Sequence, residues 1–189
     1  AAAVPGKPVV VEGGTSETDI VFLPDGGLVA VVRVEAWDPR GMGSLICRAE
    51  ADALADWSCV NDPRKYDSPL LLTHGADIWL VGRRNVTDTG LYDLGGEGEP
   101  HDQYLDYQLD YWTSPKRCAI WRVDPDALTV THAVDLPSRG DTCFPSAVPR
   151  AEGGFWLYNY SNALDGPDLS WSAGQVEPTY IYRTALTFE

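Results

Sequence analysis

The chain is poor in the residues that build metal centres and polyanion-binding surfaces. It has three histidines, His74, His101 and His132. They read as lying in a turn, a long loop and a strand, so they form no constellation. Four cysteines occur with no CxxC pair and no His-rich spacing, which gives no sign of a zinc site. Bases are half as many as acids, 14 against 28, and the resulting net charge of −14 makes nucleic acid and anionic membrane poor partners. No apolar run approaches the roughly 20 residues of a membrane helix. Neither a phosphate-cradling glycine loop nor a nucleophile elbow is present. No signal peptide is visible, and a cleaved one leaves no trace. The opening AAAVPGKP reads as a flexible or trimmed terminus.

What is present is ordinary globular composition in 189 residues: 44% hydrophobic, 22% charged, and a high aromatic share of 11% that suits a ring-lined surface or pocket. This is one domain or part of a larger one. The four cysteines allow three pairings. The expected one joins Cys47 to Cys59 and Cys118 to Cys143, each bridge closing its own hairpin or blade, in an extracellular or periplasmic compartment. Buried free thiols are the alternative. Two sequons, at Asn85 and Asn159, are compatible with secretion.

Strand signals dominate. DIVFLPDGGLVAVVR, SPLLLTHGADIWLVGRR and PSAVPRAEGGFWLYNYS share one form, an apolar strand, a glycine turn and a second apolar strand ending in polar residues. Aligning Ile20 with Leu70 places Arg33 over Arg83. A second hairpin follows each of the first two, and CRAEADAL in one returns as WRVDPDAL in the other. Pro125 and the β-branched run Thr129-Val130-Thr131 argue for strands joined by a single helical turn at the corner. The expected fold is all-β: one β-propeller segment over 1–189 with about three four-stranded blades, 15–61, 66–137 and 141–189, and a long insertion at 85–117. Closed propellers have four to eight blades and open stacks leave bare edges, so these blades are expected to belong to a five- or six-bladed ring. The remaining blades would come from the same precursor, N-terminal to Ala1, or from a second chain. The closing YIYRTALTFE would zip the ring shut.

SETDIVFLPDGGLVAVVRVE, with an acid before the first strand, a Pro-Asp-Gly turn and a terminal Arg, is similar to blades of the sialidase-like and arabinanase-like glycosidase propellers. GDTCFPSAVPRAEGGFWLYNY resembles a later blade of that type. The resemblance implies a glycan-related function and maps Glu17 and Arg33 onto functional positions, with Arg83 or Arg84 as a loose third arginine. It departs from a sialidase at Phe144, which stands in the aromatic slot before Pro-Ser and has no hydroxyl to act as nucleophile.

In a propeller the inner hairpin of each blade begins and ends near one mouth. That places Glu17, Asp19, Asp67 and Asp141 with Thr142 around one opening, joined by Arg33, Glu35, Arg83, Arg84, Asn85 and Asn159. Paired carboxylates suit glycoside hydrolysis, which needs one proton donor and one ionised base or nucleophile. Glu17, Asp67 and Asp141 are the acid/base candidates, and Arg33 and Arg83 the clamps for an acidic sugar. The same groups could instead staple adjacent blades. In the insertion, Tyr104, Tyr107, Tyr111 and Trp112 alternate with Asp102, Asp106 and Asp110. This reads either as a substrate-facing lid, with Tyr111 and Trp112 on the sugar, or as an amphipathic helix packed on the blades. The pattern requires no cofactor or metal; calcium is the one cation its carboxylate loops would suit, with Asp165 and Asp168 an ordinary turn otherwise. The expected function is a secreted, glycosidase-like propeller acting on or binding an oligosaccharide. The alternative is a non-catalytic propeller for glycan binding or extracellular assembly.

Overall fold

The computed structural model describes residue 11, residues 13–35 and residues 38–188. The AAAVPGKP terminus and the last residue of YIYRTALTFE lie outside the described residues. The first sheet takes β1 (Thr15–Phe22), β2 (Leu28–Val34), β3 (Gly43–Ala49) and β4 (Trp57–Asp62) in that order. The second takes β5 (Asp67–His74), β6 (Asp77–Asn85), β7 (Lys116–Asp124) and β8 (Thr129–Leu136), with helix α1 (Pro100–Thr113) inserted between β6 and β7. The third has three strands, β9 (Ser146–Pro149), β10 (Phe155–Asn162) and β11 (Thr179–Leu186), with the four-residue α2 (Trp171–Gly174) between the last two. All pairings are antiparallel.

Side-chain alternation explains why the central strands read as nearly continuous apolar runs: both of their faces are buried. On β2, Val29 and Val31 face the second sheet, and with Ile46, Leu80, Trp121 and Val123 they form one core. Ala30, Val32 and Val34 occupy the opposite face with Leu45 and Cys47. On β6 and β7 the same period sends Leu80 and Trp121 to the first core. It sends Val81, Cys118 and Ile120 to another core, shared with Leu157 and Leu186 of the third sheet. The three sheets therefore stand face to face in chain order.

The duplicated segment forms the outer hairpin, β3–β4 in one sheet and β7–β8 in the next. Its corner is a hydrogen-bonded turn, not the expected helical one. In the second copy the Asp124 carboxylate accepts from the amides of Asp126 and Ala127, at 3.0 and 2.9 Å. The repeated arginine explains the repetition. Arg48 reaches Asp25 (3.2 Å) and Arg122 reaches Asp77 (2.5 Å), so each ties its outer hairpin to the inner turn of its own sheet. Arg48 also bonds Asp126 of the neighbouring sheet.

Both expected disulfides are present, with one correction. Cys47 and Cys59 face each other across β3 and β4, closing that hairpin. Cys118–Cys143 does not close its own sheet. The register partner of Cys118 on β8 is Leu136, and Cys143 lies past β8 on the segment entering the third sheet, so this bridge clamps sheet two to sheet three. The sequon asparagines are a second correction. Asn85 and Asn159 are both buried and hydrogen-bonded within the protein, so the folded surface offers neither for glycosylation.

Replacing Cys118 and Cys143 together by Ser is expected to lower stability by about 3.5 kcal/mol, the loop-closure value for a bridge spanning 25 residues. Urea unfolding measures it, and limited proteolysis should then cut first between residues 137 and 145.

Candidate functional site

Both inner strands break register at the same end. β1 shifts between Thr15 and Thr18, and β5 shifts between Asp67 and Leu70. Such bulges re-aim a side chain, and these two turn Glu17 and Asp67 toward a common centre. Ser68, the residue after Asp67, sits at φ 49°, a left-handed conformation that a non-glycine residue holds only under tertiary constraint. Its amide donates to Glu17 at 2.7 Å.

The groups that meet there form a chain of alternating charge running through all three sheets. Arg33 contacts Glu17 (3.1 Å), Glu35 (3.1 Å) and, across the sheet boundary, Asp67 (3.2 Å). Asp67 then takes Arg83 at 3.2 Å, and Arg83 reaches Asp141 at 3.7 Å. The Tyr160 hydroxyl donates to Asp141 at 2.9 Å. Asp141 is aimed by Asn162, whose side-chain oxygen accepts the Asp141 amide at 2.7 Å. Gly140, at φ +61°, lets the backbone approach that close: an added Cβ would lie 2.1 Å from the Asn162 oxygen.

Asp67 is the centre of the chain and is only 2% exposed. Burial alone would raise its pKa. Lys65 and Arg83, the hydrogen bond from the Tyr111 hydroxyl, and Arg33 outweigh that and hold the carboxyl below its usual range. Burial beside this carboxylate pushes the Tyr111 phenol well above its ordinary value, so it remains a donor. The Tyr160 phenol is pushed up to about 12, chiefly by burial and then by Asp141, against the opposing charge of Arg83.

Helix α1 supplies the roof, so the helical reading of the insertion holds. Tyr107, Gln108 and Tyr111 are its buried face, and Tyr107 and Tyr111 pack with Met42 and Tyr92. Lys65, itself buried, lies 4.5 Å from the Tyr111 ring centre and bonds Glu35 (3.1 Å) and Gln108 (3.4 Å). Lys116 flanks the same ring at 3.9 Å and gives hydrogen bonds to Asn85 (3.0 Å), Ser114 (2.8 Å) and the Tyr111 carbonyl. Burial, with Arg83 nearby, lowers Lys116 to about 7.

Of the residues singled out from sequence, Glu17, Arg33, Glu35, Asp67, Arg83, Asp141 and Tyr111 come together directly. Asp19 is one strand position further along and is consumed by backbone, accepting the Leu71 amide at 2.6 Å as a clasp between β1 and β5. Asn85 and Asn159 lie behind the site as braces, Asn85 holding Lys116 and Asn159 holding the Phe144 amide (3.2 Å). Arg84 is not at the centre. Alternation on β6 turns it away from Arg83, and it makes a two-pronged pair with Asp135 at 2.8 and 2.6 Å. Trp112 stands at the rim, stacked on Trp171. Asp168 is engaged by Arg117 at 2.6 Å, and no group of three or more metal-ligating side chains occurs among the described residues. Sequence reading passed over Lys65, Gln108, Lys116 and Tyr160. The one available signal was Lys65-Tyr66-Asp67, a base just before a strand in a base-poor chain.

Both arginines are fully occupied by the protein. Arg33 uses its Nε on Ser16 (2.9 Å), and Arg83 uses its Nε on the Thr142 carbonyl (2.6 Å), besides the carboxylates on their outer nitrogens. A substrate carboxylate would have to displace one of these partners.

No protein-family model matches the chain, and no curated protein matches it. A solved structure that does match is the α-L-arabinanase of Penicillium chrysogenum complexed with arabinobiose, at 14% identity and a TM-score of 0.51. The match covers 90% of this chain and 45% of that chain, so the chain spans a little under half of its neighbour's length. The likeness shows the fold: the three sheets are blades of a partial β-propeller similar to that of the arabinanase.

Asp67→Asn should cost about 3–5 kcal/mol at neutral pH, because Arg33, Arg83 and Lys65 would be left around a neutral group. The folded carboxyl titrates below its unfolded value of 3.8, so its stabilisation is present above that value and is lost as pH falls through the folded pKa. Urea melts at pH 7 and pH 3 should show the variant's deficit shrinking in acid.

Proposed function

We propose that this chain is a three-blade sector of a glycan-acting propeller and that the mouth around Asp67 is its sugar-facing surface. The observation that carries the reading is the convergence of Glu17, Asp67 and Asp141, one acid from each blade, with Arg33 and Arg83 between them. The fold likeness to an arabinanase supports an oligosaccharide as the ligand. The two disulfides support an oxidising, extracellular or periplasmic setting. No helix among the described residues is long and apolar enough to cross a membrane. The exposed face of the third blade, with Val148, Tyr158 and Ile181, suits a further blade, from the same polypeptide or a second chain.

For hydrolysis the roles divide by environment. Asp67, held ionised and closed off from solvent, serves as a fixed negative charge that positions Arg33 and Arg83. The proton work falls to the accessible carboxylates: the side chain of Glu17 is 36% exposed and that of Glu35 33%. Glu17 is the stronger candidate, because the Ser68 amide and Arg33 fix its orientation. A binding-only propeller is the second reading, and one observation favours it: each of the four mouth carboxylates, Glu17, Glu35, Asp67 and Asp141, is already paired with a cation.

A panel of nitrophenyl glycosides, α-L-arabinofuranoside included, separates the two. Turnover of at least one sugar is expected, falling 100-fold or more in Glu17→Gln, in line with about 10²–10⁴-fold for a lost general acid or base. Turnover untouched by the substitution removes Glu17 from the chemistry. Glycan binding without any turnover selects the second reading.

A further inference from the structure

We infer that Trp112 and Trp171 form a sugar-stacking platform at the rim of the mouth and that it receives a neutral oligosaccharide; the inference rests on the glycan reading above. The two rings come from different connectors, one at the end of α1 and the other at the start of α2. Backbone contacts between the two connectors hold them together. The Trp171 amide donates to the Ser114 carbonyl at 3.1 Å, and Pro115 bridges to Ser170. The indoles lie nearly parallel, at 21°, with centres 6.3 Å apart.

Their position ties them to the acidic centre. Trp112 is the residue after Tyr111, whose hydroxyl sits on Asp67. The Arg83 guanidinium, which bonds Asp67, lies 6.0 Å from the Trp171 ring centre. Planar groups therefore lead outward from Arg83 through Trp171 to Trp112. Trp112 remains 39% exposed, leaving ring surface uncovered at the outer end.

An indole face carries negative charge density. It attracts the polarised C–H face of a sugar, while the accessible Glu17 and Glu35 accept from hydroxyls. A base would stack equally well, but its phosphates would meet a chain of net charge −14. An acidic sugar meets the same repulsion and finds Arg33 and Arg83 already committed to Glu17, Glu35, Asp67 and Asp141. A neutral chain of several units fits both halves, with one unit in the mouth and the next on the indoles.

Calorimetric titration with arabinotriose, xylotriose and galacturonotriose, beside the matching monosaccharides, tests this in the wild type, Trp112→Ala and Glu17→Gln. A thermal scan of Trp112→Ala before titration checks that the variant is folded at the titration temperature. A neutral trisaccharide should bind the wild type and lose about tenfold in affinity in Trp112→Ala, with monosaccharide binding unaltered. Equal trisaccharide affinity in Trp112→Ala together with a loss in Glu17→Gln would overturn the platform and leave the mouth reading standing. Tighter binding of galacturonotriose would overturn the neutral class. No binding of any sugar by the wild type would bring down both readings.

Discussion

Everything at the mouth depends on one buried carboxylate. Asp67 holds Arg33 of the blade before it, Arg83 of its own blade and Tyr111 of the inserted helix, and Arg83 passes the connection to Asp141 of the blade after it. The apolar cores between blades supply adhesion, but contact between apolar faces is non-directional and tolerates sliding. Charged hydrogen bonds in a low-dielectric interior do not, because a displaced partner leaves a desolvated charge unpaired. The alternating chain from Glu17 to Tyr160 thus fixes how far each blade is offset from its neighbour.

That arrangement constrains chemistry as well. A carboxyl that three cations hold ionised cannot serve as a proton donor, so any donor must be one of the peripheral acids. The inserted helix completes the enclosure. Its tyrosines exclude water from Asp67, and two buried lysines flank the Tyr111 ring. The helix thereby joins the hub to the rim, since Tyr111 belongs to one and Trp112 to the other.

Much of the blade pattern was legible in the chain. The inner hairpins, their glycine turns and the acid and arginine at their ends were readable because strand periodicity and turn chemistry are local. Equivalence of Glu17 with Asp67, and of Arg33 with Arg83, followed from alignment of one hairpin on the next. Arg84 was misplaced by reading two adjacent arginines as one patch, although strand alternation sends them to opposite faces. Cys118–Cys143 was paired correctly but assigned to one blade, because sequence order cannot show which of two adjoining sheets a connector borders.

By itself the sequence determined an antiparallel all-β chain built of like hairpins, and an acidic mouth drawn from each. Periodicity, turn residues and repetition are carried by neighbours in the chain. Tertiary structure alone decided that Asp67 is a closed hub and Glu17 an open acid, that Lys65, Lys116 and Tyr160 belong to the site, and that Trp112 meets Trp171. Those outcomes depend on burial and on contacts between residues far apart in the chain, and neither quantity is written in any local stretch of residues.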